Sequence, residues 1–144
     1  MDERGHKFLE HVADIYVEAW GASLEEAFEE AAKAMFESMV DIEAVEPSRR
    51  VDVSIEAVSL ETLLIDWLNE LLYYVDAEGL LLSNFKVEKI EKTDGIYKLK
   101  GYAEGEPINP KKHELKIEVK AATYGLMKIE KTPQGVKLRV LFDI

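Results

Sequence analysis

Apolar residues recur at three- and four-residue intervals behind Ser23. Leu24, Ala27, Phe28, Ala31, Ala32, Met35, Phe36 and Met39 make one continuous stripe. Ser23-Leu24-Glu25-Glu26 reads as a capping box, in which the serine hydroxyl accepts from the third helical amide and Glu26 reaches back. The pattern predicts a helix over 24–39, with Glu25, Glu29, Glu30, Lys33 and Glu37 on a solvated opposite face. A wider stripe runs from Ser59 through Leu60, Leu63, Leu64, Trp67, Leu68, Leu71, Leu72 and Val75 to Gly79, a natural C-cap. It predicts a second helix, the more buried of the two.

Elsewhere the period falls to two. Ile15–Ala19, Val51–Ile55 and Leu115–Val119 alternate apolar and polar positions, as half-buried strands do. Thr93-Asp94-Gly95 separates Phe85–Glu91 from Ile96–Ala103, and Thr132-Pro133-Gln134-Gly135 separates Leu126–Glu130 from Val136–Phe142; both read as hairpins. Leu80-Leu81-Leu82 is a short, core-like apolar run. The order strand, helix, strand, helix, then hairpin-linked strands predicts the α+β class, with two helices packed on a largely antiparallel sheet. No linker or repeat interrupts residues 1–144, which read as a single domain.

Composition narrows the function. With 47% apolar and 33% charged residues the chain is a folded protein, and at 144 residues it can bury roughly two-thirds of its unfolded surface. It has no cysteine, so disulfide and thiolate chemistry are excluded. No basic-then-apolar leader and no run of about 18 apolar residues occurs, which predicts a cytoplasmic protein with no membrane partner. The formal charge of −11 argues against non-specific nucleic-acid binding and favours cations or a basic partner surface.

Nucleotide-binding loops are absent, since no G-x-x-x-x-G-K-[ST] or G-x-G-x-x-G occurs, and no serine sits in a glycine-flanked elbow. His6, His11 and His113 lack the helical spacing of a zinc enzyme. Carboxylates remain. Asp14 interrupts the apolar approach to the first predicted strand, and Asp143 ends the last one, on the face opposite Leu138, Val140 and Phe142. The chain then stops at Ile144, whose apolar side chain is suited to docking in the core and fixing its α-carboxylate. These donors would gather up to about three negative charges, which repel unless a cation neutralises them. Hard oxygens of this kind suit Ca²⁺, Mg²⁺ or Mn²⁺. The plainer reading of such aspartates is as turn or capping residues. His11 either orients Asp14 or is a satisfied edge histidine, and His113 reads as a turn residue. Asp66 and Glu70, one turn apart, are solvated, paired with lysine, or additional charge near a site. Lys120 reads as a surface lysine, and Met1–Arg4 as a free end.

Five segments together resemble the archease family: Phe8-Leu9-Glu10-His11-x-Ala13-Asp14, Leu24-Glu25-Glu26-Ala27-Phe28, Asp66-Trp67-Leu68-Asn69-Glu70-Leu71-Leu72-Tyr73, Val119-Lys120-Ala121-Ala122-Thr123-Tyr124 and Phe142-Asp143-Ile144. They span nearly the whole chain in order. Val12 departs from the threonine usual in that family, and Gly125 from a frequent histidine. The resemblance implies a strand–helix–strand–strand type of fold. It implies a non-enzymatic, metal-binding cofactor of the RtcB-type tRNA-splicing RNA ligase, one that promotes guanylylation and multiple turnover and broadens nucleotide use. It implies a divalent ion, Ca²⁺ foremost with Mg²⁺ or Mn²⁺ as alternatives, held by Asp14, Asp143 and the Ile144 carboxylate. It implies no catalytic residue, and a role for Lys120 in activating the partner. A metal-independent chaperone or adaptor for RNA-processing proteins is the alternative.

Overall fold

The computed structural model describes residues 3–11 and 13–144; Met1, Asp2 and Val12, one of the two departures from the resemblance, lie outside the described residues. In chain order the elements are β1 (Gly5–Leu9), β2 (Ile15–Gly21), α1 (Leu24–Met39), a short 3₁₀ turn (Ile42–Ala44), β3 (Arg49–Ala57), α2 (Leu60–Glu78), β4 (Leu80–Thr93), β5 (Ile96–Pro107), β6 (Ala121–Thr132) and β7 (Gly135–Asp143).

Both helices begin where the serines place them. The Ser23 hydroxyl accepts from the Glu26 amide at 3.2 Å, and the Ser59 hydroxyl from the Thr62 amide at 3.1 Å. Glu26 reaches back one residue further than a capping box requires, to the Ala22 amide. α2 ends at Gly79 in the left-handed conformation, φ 62°, which a glycine adopts without Cβ strain. Trp67 is fully buried and donates from Nε1 to the Phe28 carbonyl at 3.1 Å, tying α2 to α1.

The sheet is two sheets, ordered β1-β2-β7-β6 and β3-β5-β4, and every pair is antiparallel. Each helix touches both sheets, so one apolar core joins them, with Val17, Phe28, Phe36, Leu64, Leu138 and Phe142 at its centre. The β4–β5 hairpin turns on Asp94-Gly95, both at positive φ (52° and 78°), a turn whose twist matches the strands it joins. The Leu80–Leu82 run opens β4.

Several expectations differ from the structure. Gly5–Leu9 forms an edge strand that its polar sequence did not announce. Leu115–Val119 belongs to no sheet. Its Lys116 and Ile117 amides instead donate to Met39 and Ser38, carbonyls of the last turn of α1 that have no helical partner. Its alternation is therefore that of a helix-capping arm, with Leu115 and Ile117 exposed and Val119 buried. Glu29 and Glu30 are not solvated: both are buried. Glu29 accepts from the Val87 amide of β4 at 2.8 Å and from Arg4 at 2.9 Å, and Glu30 accepts from Arg4 and His6. Arg4 is consequently anchored, and the free end cannot include it. No helix among the described residues is long and apolar enough to cross a membrane.

Candidate functional site

β2 begins at Ile15 and β7 ends at Asp143, and the two strands are neighbours with Ile15 opposite Phe142. Asp14 directly precedes that pair on one strand and Asp143 directly follows it on the other, so both lie at the same end of the sheet. On the other flank of β7, Ala121 pairs with Asp143, and the Lys120 amide donates to the Asp143 carbonyl at 2.8 Å. Asp14, Lys120, Asp143 and Ile144 thus lie at one end of the four-stranded sheet, although up to 130 residues separate them in sequence.

What fixes this end is not the side chain of Ile144. Ile144 is 38% exposed and takes no part in the core. The anchors are fully buried Phe142 and the backbone bond from Lys120. A buried phenylalanine cut to alanine typically costs about 3–5 kcal/mol, so Phe142 is a firm foundation for the two residues after it.

The Asp14 side chain is largely covered, with 23% exposed, whereas Asp143 is open to solvent. His11 Nδ1 lies 3.7 Å from Asp14 Oδ2, beyond hydrogen-bond reach, so the imidazole does not orient this carboxylate by a direct bond. Among the described residues no lysine or arginine forms an ion pair with Asp14, Asp143 or the terminal carboxylate. No group of three or more His, Asp or Glu side chains could hold a metal ion unaided among those residues. Two aspartates without a lysine or arginine counterion among the described residues nevertheless have donor chemistry suited to a hard divalent cation. An apolar hollow lined by Phe8, Leu9, Ile15 and Ile117 opens beside Asp14.

The other candidates are committed elsewhere. His6 is held between Glu30 (3.0 Å) and Glu37 (2.8 Å) on α1. His113 is buried, accepts from the Asn109 amide at 2.9 Å and faces Glu106 at 3.0 Å, which makes it a turn residue as read. Lys112 and the Glu46 amide, each 2.7 Å away, hold the Glu106 carboxyl down to about 2. Asp66 and Glu70 line a groove with Ile55, Glu56 and Asn69, and among the described residues no lysine pairs with either.

Two residues that periodicity did not single out shape the site. The Tyr16 hydroxyl donates to the Leu126 carbonyl at 2.9 Å, linking β2 to a bulge in β6. The Asn69 side chain bonds both backbone groups of Ala122. One signal was available for it: a lone amide at the edge of the apolar stripe of α2, in a chain with three asparagines.

The sequence profile of the archease protein family matches residues 6–144. A Pyrococcus furiosus protein named archease is 50% identical over 132 residues, 92% of each chain. A Methanosarcina mazei archease is 41% identical over the full length of both. The solution structure of Methanobacterium thermoautotrophicum protein 1598 superposes with a TM-score of 0.85 at 43% identity, covering 97% of this chain and 99% of that one. The crystal structure of a Thermotoga maritima archease, described as a possible chaperone, has a TM-score of 0.60 at 25% identity over 96% of both. With the same fold and a match over nearly its whole length, this chain belongs to the archease family.

Proposed function

We propose that this protein is a metal-binding accessory factor that activates the tRNA-splicing RNA ligase, promoting its guanylylation and repeated turnover, and that it catalyses no reaction alone. The observation that carries this reading is the placement of two aspartates, Ile144 and a lysine at one sheet end, with no lysine or arginine paired to the carboxylates among the described residues. Asp14, Asp143 and the Ile144 carboxylate would hold a divalent ion, Ca²⁺, Mg²⁺ or Mn²⁺. When bound, such an ion supplies concentrated positive charge that stabilises phosphate oxygens. Lys120 carries an ammonium at the same end, within the chemistry of a phosphate or of a partner carboxylate. Asp143 closes the β6–β7 ladder opposite Ala121, Ile144 follows it, and both are exposed, an arrangement suited to meeting a partner's cleft.

The test is a ligation assay with limiting ligase, RNA ends and GTP. Product should exceed one turnover per ligase only when this protein is present, and the protein with RNA and GTP alone should give none. Lys120→Ala should keep the fold and divalent binding yet lower stimulation at least about tenfold, equivalent to about 1.4 kcal/mol of lost stabilisation. Unchanged stimulation would return Lys120 to the class of surface lysines. A metal-independent chaperone or adaptor is favoured by one feature, the half-exposed Phe8 and Ile117 beside Asp14. It predicts that Asp143→Ala leaves stimulation intact.

A further inference from the structure

β6 is the outer strand of its sheet, and its first segment is poorly supported by the ladder alone. Only Ala121, Ala122 and Thr123 pair with β7 before the register breaks, and regular pairing resumes at Lys128. Upstream, residues 114–120 belong to no strand. The outward backbone groups of such an edge segment ordinarily face water or a neighbouring strand. Here they face α2. Asn69 Oδ1 accepts from the Ala122 amide at 2.8 Å, and Asn69 Nδ2 donates to the Ala122 carbonyl at 3.3 Å. A carboxamide offers one donor and one acceptor in a plane, as a peptide group does, and aspartate or leucine cannot reproduce both.

We propose that Asn69 is a positioning residue: its amide stands in for a missing strand, and by holding Ala122 it fixes Lys120 and the chain terminus at the sheet end. The path is short. Two residues before Ala122, the Lys120 amide grips the Asp143 carbonyl at 2.8 Å, and the next residue is Ile144. The other end of the path is rigid, because Asn69 sits beside buried Leu68 and Trp67, and Trp67 is bonded to α1. This inference rests on the reading of that end as the functional site.

The test uses the full chain with Asn69→Asp, which keeps an acceptor but loses the donor, and Asn69→Ala, which loses both. Amide exchange at Ala122 and Lys120 should quicken about tenfold, the scale of one net hydrogen bond, while Leu64 and Val140 keep wild-type protection. Mn²⁺ affinity by calorimetry should fall about tenfold, and excess Mn²⁺ should restore the maximal ligase stimulation. Wild-type exchange at Ala122 and Lys120 would overturn the proposal. So would quickened exchange with unchanged Mn²⁺ affinity, or a loss of protection spreading to Leu64 and Val140, which would make Asn69 an ordinary core residue. If the wild-type chain itself takes up no Mn²⁺, the reading of the site falls; the hold of Asn69 on β6 then stands or falls on exchange at Lys120 alone.

Discussion

Asp143 and the terminal carboxylate are consecutive groups on one chain, so a change at the terminus tests the proposed donors without touching the fold. Joining extra residues to Ile144 turns the α-carboxylate into a neutral amide carbonyl, a weaker donor for a hard cation. A C-terminal tag should therefore weaken Ca²⁺ or Mn²⁺ binding in a calorimetric titration. An N-terminal tag ahead of Met1 should not, because Arg4 near that end pairs with Glu29 and Glu30 of α1 and not with the proposed donors. Equal affinities of the two tagged forms would remove the terminal carboxylate from the donor set. The same residue scale shows how polar groups earn a buried place: Glu29 is tolerated because it satisfies an amide of edge strand β4 and faces Arg4.

Among the elements, β1 is the most instructive. It is an edge strand with few apolar residues, and the buried carboxylates of α1 hold it through Arg4 and His6. The hydrogen bond to Glu30 is the chief influence raising the His6 pKa above the ordinary 6.5; burial opposes it and Glu37 reinforces it. For Glu30, burial is the largest single influence and favours the neutral acid, but bonds from His6 and Arg4 outweigh it and hold the pKa below the ordinary 4.5. A raised imidazole pKa stabilises the fold fully below 6.5 and ceases to do so as pH climbs through the folded value. The lowered carboxyl contributes above 4.5 and is lost as pH falls through its folded value. The β1 tether is therefore strongest between these two ordinary values and weakens in alkali. Amide exchange in Gly5–Leu9, compared with that in β7, should quicken as pH rises past the His6 pKa, after correction for intrinsic exchange. His6→Gln should abolish that step; a step that survives would assign the titration to another group.

Seen whole, the molecule carries a formal charge of −11, and if the proposed partner is a ligase that handles RNA, its phosphate-binding surface should be positive. Charge complementarity of this kind acts mainly on the rate of encounter and is screened over about 10 Å at 0.1 M salt. In the ligation assay, the concentration of this protein giving half-maximal stimulation should rise several-fold between about 50 and 500 mM salt. The plateau should hold. A flat salt profile would mean that recognition relies on apolar contact, such as the surface around Phe8 and Ile117.

The sequence by itself determined whatever depends on neighbours along the chain. Helix limits follow from Ser23, Ser59 and Gly79, and the tight β4–β5 turn from Asp94-Gly95, because caps and turns are satisfied within a few residues. The class of fold follows from the alternation of periods, and the family from motifs spread over the length of the chain. Asp14, Asp143, Ile144 and Lys120 were named from sequence and motif, and the structure brings their strand ends together. Only the tertiary structure decided what depends on distant partners. Leu115–Val119 has the pattern of a strand, yet the open carbonyls of α1 claimed its amides before any sheet edge did. Glu29 and Glu30 lie on what looks like a solvated face, and the arrival of β1 and β4 buried them. Ile144 looks like a plug for the core, but Phe142 fills that place and a backbone bond from Lys120 holds the end. Asn69 was one letter within a motif until the edge of β6 came to lie against it, because a side chain substitutes for a strand only where the fold leaves one missing.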